Sequence, residues 1–510
     1  MGMRTFLRAP IAAITAGLVF AGGIVSALAA SGGVPFIPLH TYYISPNGSD
    51  SNNGTSPISA WATPQHNVVC GDVIIAAADS YTNSQFGSNS WGTVSNCPST
   101  TGGIDGAGGI HEAVLLCAGP FITSCNVNGG DWEAFRIDSS NWAVEGFSAT
   151  QGPTSIFGCF LGAPTGSSIL HHIVFINNIA SSCAVEGFGT VNGVDQSAVV
   201  GAITYNAAPS QNNSGICGSG ISMIPSNGPV GSLAISHVFV AGTFNYKNIN
   251  APTGAGCNTD GEGLIFDTWG GGAYKYEGVV EQNVWWANGS SAFAAFPQGN
   301  GTTDDAAIVV VFNNTSYGNY QDPHNPGAGE LFLNQIYPEA TNQYTITNNI
   351  FEATLSKAQG AAIDCFGNYS CPATVIKISG NYIWNSFVPT TITPGGRNTQ
   401  AWYNGNDQGA SFPWGTNTYN NPGFANPGGL PIAAPNCSGY TNTTDCMNTG
   451  YHVAANLKPS GGAVGKGYMA PGPCAPDPYY PKMLKGLVYL TVSGTTITEN
   501  PGLITKPCGS

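Results

Sequence analysis

Between Asn248 and Asn381 the apolar and polar positions carry one short motif five times: strand-forming residues, an Asn, then strand-forming residues again. The copies are Phe244-Asn-Tyr-Lys-Asn248-Ile249, Val279-Val-Glu-Gln-Asn283-Val284-Trp285, Val311-Phe-Asn-Asn314-Thr315, Ile346-Thr-Asn-Asn349-Ile350-Phe351 and Ile378-Ser-Gly-Asn381-Tyr382-Ile383. The marked Asn residues are 35, 31, 35 and 32 apart, and an earlier copy, Phe175-Ile-Asn-Asn178-Ile179, lies 70 residues before Asn248. A fixed period of this size predicts stacked repeats, with chemistry on a strand face beside loops of varying length. Successive coils would stack at the strand spacing of about 4.8 Å, where Asn side chains can bond along the stack. The repeated Asn residues are therefore read as structural. Val185-Glu-Gly-Phe188 echoes Val144-Glu-Gly-Phe147 and is read as a second sign of repetition.

Composition supports an all-β body. Of 510 residues 70 are Gly and 34 Pro, only 8% are charged and 42% are hydrophobic, which suits many short strands joined by tight turns around a large core. No long stretch beyond the N-terminus shows a 3.6-residue apolar period. Arg4 and Arg8 precede an apolar run from Pro10 to Leu28, and Ala27-Leu-Ala29 offers small residues at a cleavage site. Residues 1–30 are thus expected to be a secretory signal, with an uncleaved anchor as the alternative.

The fourteen cysteines agree with export, and their order predicts neighbour pairs: Cys70 with Cys97, Cys117 with Cys125, Cys159 with Cys183, Cys217 with Cys257, Cys365 with Cys371, Cys437 with Cys446, Cys474 with Cys508. No Cys-x-x-Cys or Cys/His spacing suggests zinc. The net charge of −14, or −16 once Arg4 and Arg8 are removed, argues against nucleic acid or an anionic membrane as partner. An acidic sugar stays open, because calcium can bridge two anions.

The opening of the expected mature chain reads Tyr42-Tyr-Ile-Ser-Pro-Asn-Gly-Ser-Asp50, followed by Cys70-Gly-Asp72-Val-Ile74. This order, with the Asn repeats, resembles right-handed parallel β-helix proteins of the pectate-lyase-like superfamily, from Tyr42 to about Asn385. The resemblance implies a solenoid, expected over 31–390, and the composition of 391–510 is read as a loop-rich cap. The Pro/Gly/Asn-rich tail is expected to cover the last coil, since an open sheet edge invites aggregation. It leaves the activity open, because lyases, hydrolases, epimerases and adhesins share the architecture.

With so few charges, clusters stand out. The densest is Asn258-Thr-Asp260-Gly-Glu262-Gly-Leu-Ile-Phe-Asp267, followed by Lys275 and Glu277. Residues two apart on a strand share a face, so Asp260 and Glu262 could present two carboxylates together. With Asp267 they form an oxygen ligand set suited to Ca2+. Lys275, beside aromatics that would lower its pKa, is the candidate base. Trp269, Tyr274, Trp285 and Trp286 offer flat faces for sugar rings. His324 and Glu330, with Asp322, could line the same groove. The chemistry this suggests is calcium-assisted β-elimination of an acidic polysaccharide by a secreted monomer, with Asp260 and Lys275 catalytic.

Two alternatives use the same region. Asn258-Thr-Asp260-Gly261 resembles a four-residue motif of polygalacturonase-type hydrolases, whose paired Asp could correspond to Asp304-Asp305. That pair lies 44 residues on, and the family's Gly-His-Gly and Arg-x-Lys motifs are absent. The other alternative is a glycan-binding or structural β-helix without turnover, which the sparse basic residues favour. His171-His172, Glu145, Glu186 and Asp50 are read as structural.

Overall fold

A computed structural model describes residues 34–501, except for 88–90, 99–110, 120–123, 153–154, 156, 166–168, 192, 208–216, 225–237, 251–259, 268–277, 297–308, 323–328, 335–343, 355–360, 367–375, 387–399, 404–416, 464–466 and 468–487. Three long sheets dominate. Sheet I has eleven strands, from Thr41–Ile44 to Ile376–Ser379; sheet II has ten, from Ser80–Thr82 to Tyr382–Asn385; sheet III has nine, from Phe135–Ile137 to Gln400–Tyr403. The chain visits I, II and III in turn, and each strand pairs in parallel with its counterpart one coil later. Only the last strand of sheet III, Gln400–Tyr403, runs antiparallel. The result is a right-handed parallel β-helix, the hand that parallel crossovers take.

Inside, like side chains stack. Phe135, Phe160 and Phe188 lie on three successive coils with ring centroids 4.7 and 4.6 Å apart, the spacing of the strands that carry them. Most of the buried apolar side chains belong to this interior.

The corner between sheets I and II explains the Asn motif. One residue there adopts a left-handed conformation in coil after coil: Gly146, Asn177, Gly201, Gly242, Gln282, Asn313, Asn348 and Gly380, with φ between 52° and 81°. Gly accepts this region freely and Asn more readily than most residues. The next residue is the rung. Asn283, Asn314, Asn349 and Asn381 each direct Nδ2 to the Oδ1 of the following rung at 2.9–3.0 Å, ending on Asn417. Each also donates to a carbonyl of the preceding coil, as Asn314 does to Val280.

Asn248 is not on this ladder. Strand register places Thr243 opposite Asn283, and Asn248 opposite Asn288. A second ladder runs through the corner between sheets II and III: Asn248 Nδ2 to Asn288 at 2.9 Å, and Asn288 Nδ2 to Asn319 at 2.8 Å. It follows a second left-handed column, Ser182, Asn206, Lys247, Ala287 and Gly318. The spacing of 35 between Asn248 and Asn283 thus joins two different corners with the same local grammar. The Val-Glu-Gly-Phe echo is of the same kind. Glu145 ends a strand of sheet I, whereas Glu186 lies in the corner before sheet III.

The tail does more than close the last coil. Leu430, Cys437, Cys446, Met447, Val453 and Leu457 pack along the outer face of sheet II against Ile203, Phe244, Tyr246, Val284 and Trp286. The C-terminal hairpin Val488–Ser493/Thr496–Pro501 pairs with Val34–Phe36 and covers apolar side chains of sheet I. Both outer faces are apolar and need a cover, which the sequence period alone does not reveal. The disulfides Cys70–Cys97, Cys117–Cys125, Cys159–Cys183 and Cys437–Cys446 match the expected pairs. Cys217 is disulfide-bonded, and no free cysteine is found among the described residues. Residues 1–30 lie outside the described residues. Among those described, no helix is long and apolar enough to cross a membrane.

Candidate active site

The corner between sheets II and III, just before each strand of sheet III, gathers carboxyls. Register carried back from Phe188, Ile221, Leu264 and Phe293 aligns Glu186, Ser219, Glu262 and Ser291 on four successive coils. Ser219 Oγ donates to Glu262 Oε2 at 2.7 Å, and the Glu262 N–H donates back to Ser219 Oγ at 3.3 Å. Glu262 is 1% exposed and Glu186 8%.

Burial first, and then the negative field of Asp260, push Glu262 up to about 8; Ser219 and Ser290 pull it back in part. Glu186 is raised to about 7, chiefly by burial, with Asp260 and Asp267 adding to it. Asp260 and Asp267 are themselves partly exposed. Two buried carboxyls that hold a proton near neutral pH therefore share one acidic neighbour. Perturbed carboxyls in a cluster mark functional sites more often than chance.

Local backbone sets this arrangement. Asp260-Gly261-Glu262 is irregular, not a strand. Gly261 has φ +104°, and the strand of sheet III begins at Leu264. The alternation argument for a shared face therefore does not apply, although the two carboxyls still meet electrostatically. Gly158, one coil before Glu186, leaves room for its carboxyl: a Cβ there would lie 2.9 Å from Glu186 Oε2.

The other expected site residues divide. Glu330 is buried on the second ladder, where Asn319 donates to it from N and Nδ2 at 3.0 and 2.6 Å. Its pKa is raised to about 8, mainly by burial. It ends a structural ladder. Trp285 and Trp286 do not offer faces to a sugar. As neighbours on a strand they point to opposite sides. Trp285 is fully buried in the interior, and Trp286 stacks on Tyr246 at 4.4 Å beneath the tail, with Nε1 donating to Pro431 O at 2.7 Å. Lys275, Trp269, Tyr274, His324, Asp304 and Asp305 lie outside the described residues. Sequence reading set Glu186 aside as structural. Its only signal, Glu before Gly-Phe, is shared with Glu145.

Asp260, Glu262 and Asp267 are the carboxyls expected to hold Ca2+. Among the described residues no three of His, Cys, Asp or Glu are placed to hold a metal ion. Glu262 accepts from Ser219 Oγ, while Asp260 and Asp267 stay partly exposed.

No protein-family model matches the sequence, and no curated protein matches it. Among solved structures, a pectate lyase is 19% identical over 70% of this chain and 81% of its own, with a TM-score of 0.36. The lacto-N-biosidase of Eubacterium ramulus is 11% identical over 68% of this chain and 64% of its own, with a TM-score of 0.38. An alginate lyase from Paenibacillus sp. is 15% identical over 66% and 94%, with a TM-score of 0.30. The fold rests on the strand pairing itself: the chain is a right-handed parallel β-helix.

Proposed function

We propose that this protein is a secreted glycan-cleaving β-helix whose acid–base centre is the corner carboxyl cluster, with Glu186 and Asp260 in contact with the reacting bond and Glu262 positioning Asp260. One observation carries the reading: Glu186 and Glu262, both buried, are raised to about 7 and about 8 in part by the same neighbour, Asp260. A buried carboxyl that keeps its proton near neutral pH can serve as a general acid. Glu186, the more accessible of the two buried groups, protonates the departing glycosidic oxygen. Asp260 takes a proton from the attacking water. Carboxyls that keep their protons repel a uronate less than carboxylates do, so the cluster is compatible with an acidic as well as a neutral polysaccharide. The disulfides fit an exported protein.

Incubation with pectate, alginate and neutral glycans tests this. New reducing ends without ultraviolet absorbance are expected. An unsaturated, ultraviolet-absorbing product assigns β-elimination instead, with Lys275 as the base to test. Binding of any of these glycans without product overturns cleavage.

A further inference from the structure

One row on the outer face of sheet II runs through Tyr205, Tyr246, Trp286, Tyr317, Glu352 and Trp384, one residue per coil. The tail covers its first part. Trp286 Nε1 donates to Pro431 O at 2.7 Å, and the Tyr246 hydroxyl donates to Ala433 O at 2.9 Å. Phe424 packs edge-on against Tyr317, with ring centroids 5.8 Å apart. Glu352 and Trp384 come next, beyond these strap carbonyls.

At this end the polar atoms are left over. Glu352 is 5% exposed, yet its Oε2 has no hydrogen-bond partner; Trp384 Nε1 is also buried and unpartnered. The two side chains stand directly opposite on adjacent strands. A buried, unsatisfied donor and acceptor in one row is costly, because each has lost its water without gaining a partner. Trp286 shows how the fold satisfies such an indole when the strap is present. The Tyr317 and Trp384 rings stay partly exposed, so the row can be reached from solvent.

We propose that Tyr317, Glu352 and Trp384 form a glycan-binding subsite on sheet II, separate from the corner cluster. Trp384 Nε1 donates to a ring or hydroxyl oxygen of one sugar residue, Glu352 Oε2 accepts from a hydroxyl, and the two aromatic rings give the flat apolar faces that the sugar covers. The choice of a sugar rests on the glycan-cleaving reading; the orphaned donor and acceptor do not.

The test measures binding of hexamers of galacturonate, mannuronate and xylose by calorimetry, using full-length protein carrying Asp260→Asn so that cleavage does not interfere. Trp384→Phe keeps a ring but loses the N–H, and Glu352→Gln keeps the shape but changes the acceptor. Each should weaken binding of one hexamer about tenfold, the scale of one buried hydrogen bond. Melting temperatures at or above that of the parent are expected, since a costly buried group is removed. If both variants bind as the parent does, the row holds ordered water only and the proposal fails, while the cleavage reading stands or falls on its own assay. Loss of binding in the row variants, with no cleavage by the unmodified protein, keeps the subsite and removes the corner-cluster reading. No binding of any hexamer by the parent overturns the subsite.

Discussion

Thr243 stands opposite Asn283 and gives it both of its donors: the Thr243 N–H at 2.9 Å and Oγ1 at 2.7 Å meet the single Oδ1 of Asn283. The ladder therefore begins on a hydroxyl, and the Asn rungs follow. Each later rung uses its side chain in both directions, so the corner is a chain of mutually polarising bonds.

Removing a middle rung should cost more than one bond. Asn314 is fully buried; its Nδ2 meets Val280 O, Phe312 O and Asn349 Oδ1, and its Oδ1 accepts from Asn283 N and Nδ2. Asn314→Ala orphans the Asn283 N–H, one Nδ2 hydrogen of Asn283 and the Val280 carbonyl. We expect a loss of about 3 kcal/mol or more in urea unfolding, at 1–3 kcal/mol per buried group left unsatisfied. A loss below about 1 kcal/mol would show that water replaces the rung.

Stability should fall as pH rises through neutrality. Glu186 and Glu352 are raised to about 7, and Glu262 and Glu330 to about 8, from an ordinary value of 4.5, each chiefly by burial. A carboxyl raised on folding holds its proton more tightly in the folded chain. Its contribution is fully present below about 4.5 and is lost as pH climbs through 7 and 8. Melting temperature measured from pH 5 to pH 9 should decline across this window, and Glu330→Gln should flatten the decline. A melting temperature that rises between pH 5 and pH 8 would contradict these shifts.

The strap on sheet II should loosen when its disulfide is cut. Cys437 and Cys446 are nine residues apart and both belong to the apolar cluster over Tyr246 and Trp286. Replacing both with Ser should destabilise the strap by about 2.5 kcal/mol on the loop-closure argument. Hydrogen exchange within 421–463 should accelerate first, while the ladder corner stays protected. Equal acceleration in both regions would mean that strap and helix open as one unit.

Asp260→Asn should separate the roles in the cluster. Loss of a group that takes part in proton transfer should lower kcat by about 10²–10⁴-fold. Removing its charge also removes one cause that raises Glu186 and Glu262. The alkaline limb of the residual pH–rate profile should therefore move to lower pH. An unchanged limb with normal kcat would place the chemistry elsewhere on the helix.

Much of the architecture could be read from the chain. Gly, Asn or Gln before each rung of the first ladder marks a left-handed corner, and the apolar strand residues mark the coils. The neighbour disulfides follow because sequence neighbours are spatial neighbours in a solenoid. The Asn248 rung was misread because two corners use the same local words, and only strand pairing tells them apart. Trp285 and Trp286 could not be sorted by composition, since a strand sends one inward and the other beneath the tail. Glu186 gave no signal of its own. Its charged surroundings come from residues 74 and 81 positions away, at Asp260 and Asp267.

What the sequence determined by itself is the local grammar: left-handed corners, short strands, and a repeat long enough to stack, all fixed by interactions within a few residues. The tertiary structure decided which corner each Asn occupies, where the tail lies, and which carboxyls share a field. Those depend on coil register and on burial, and both arise only when distant segments are brought within a few ångströms.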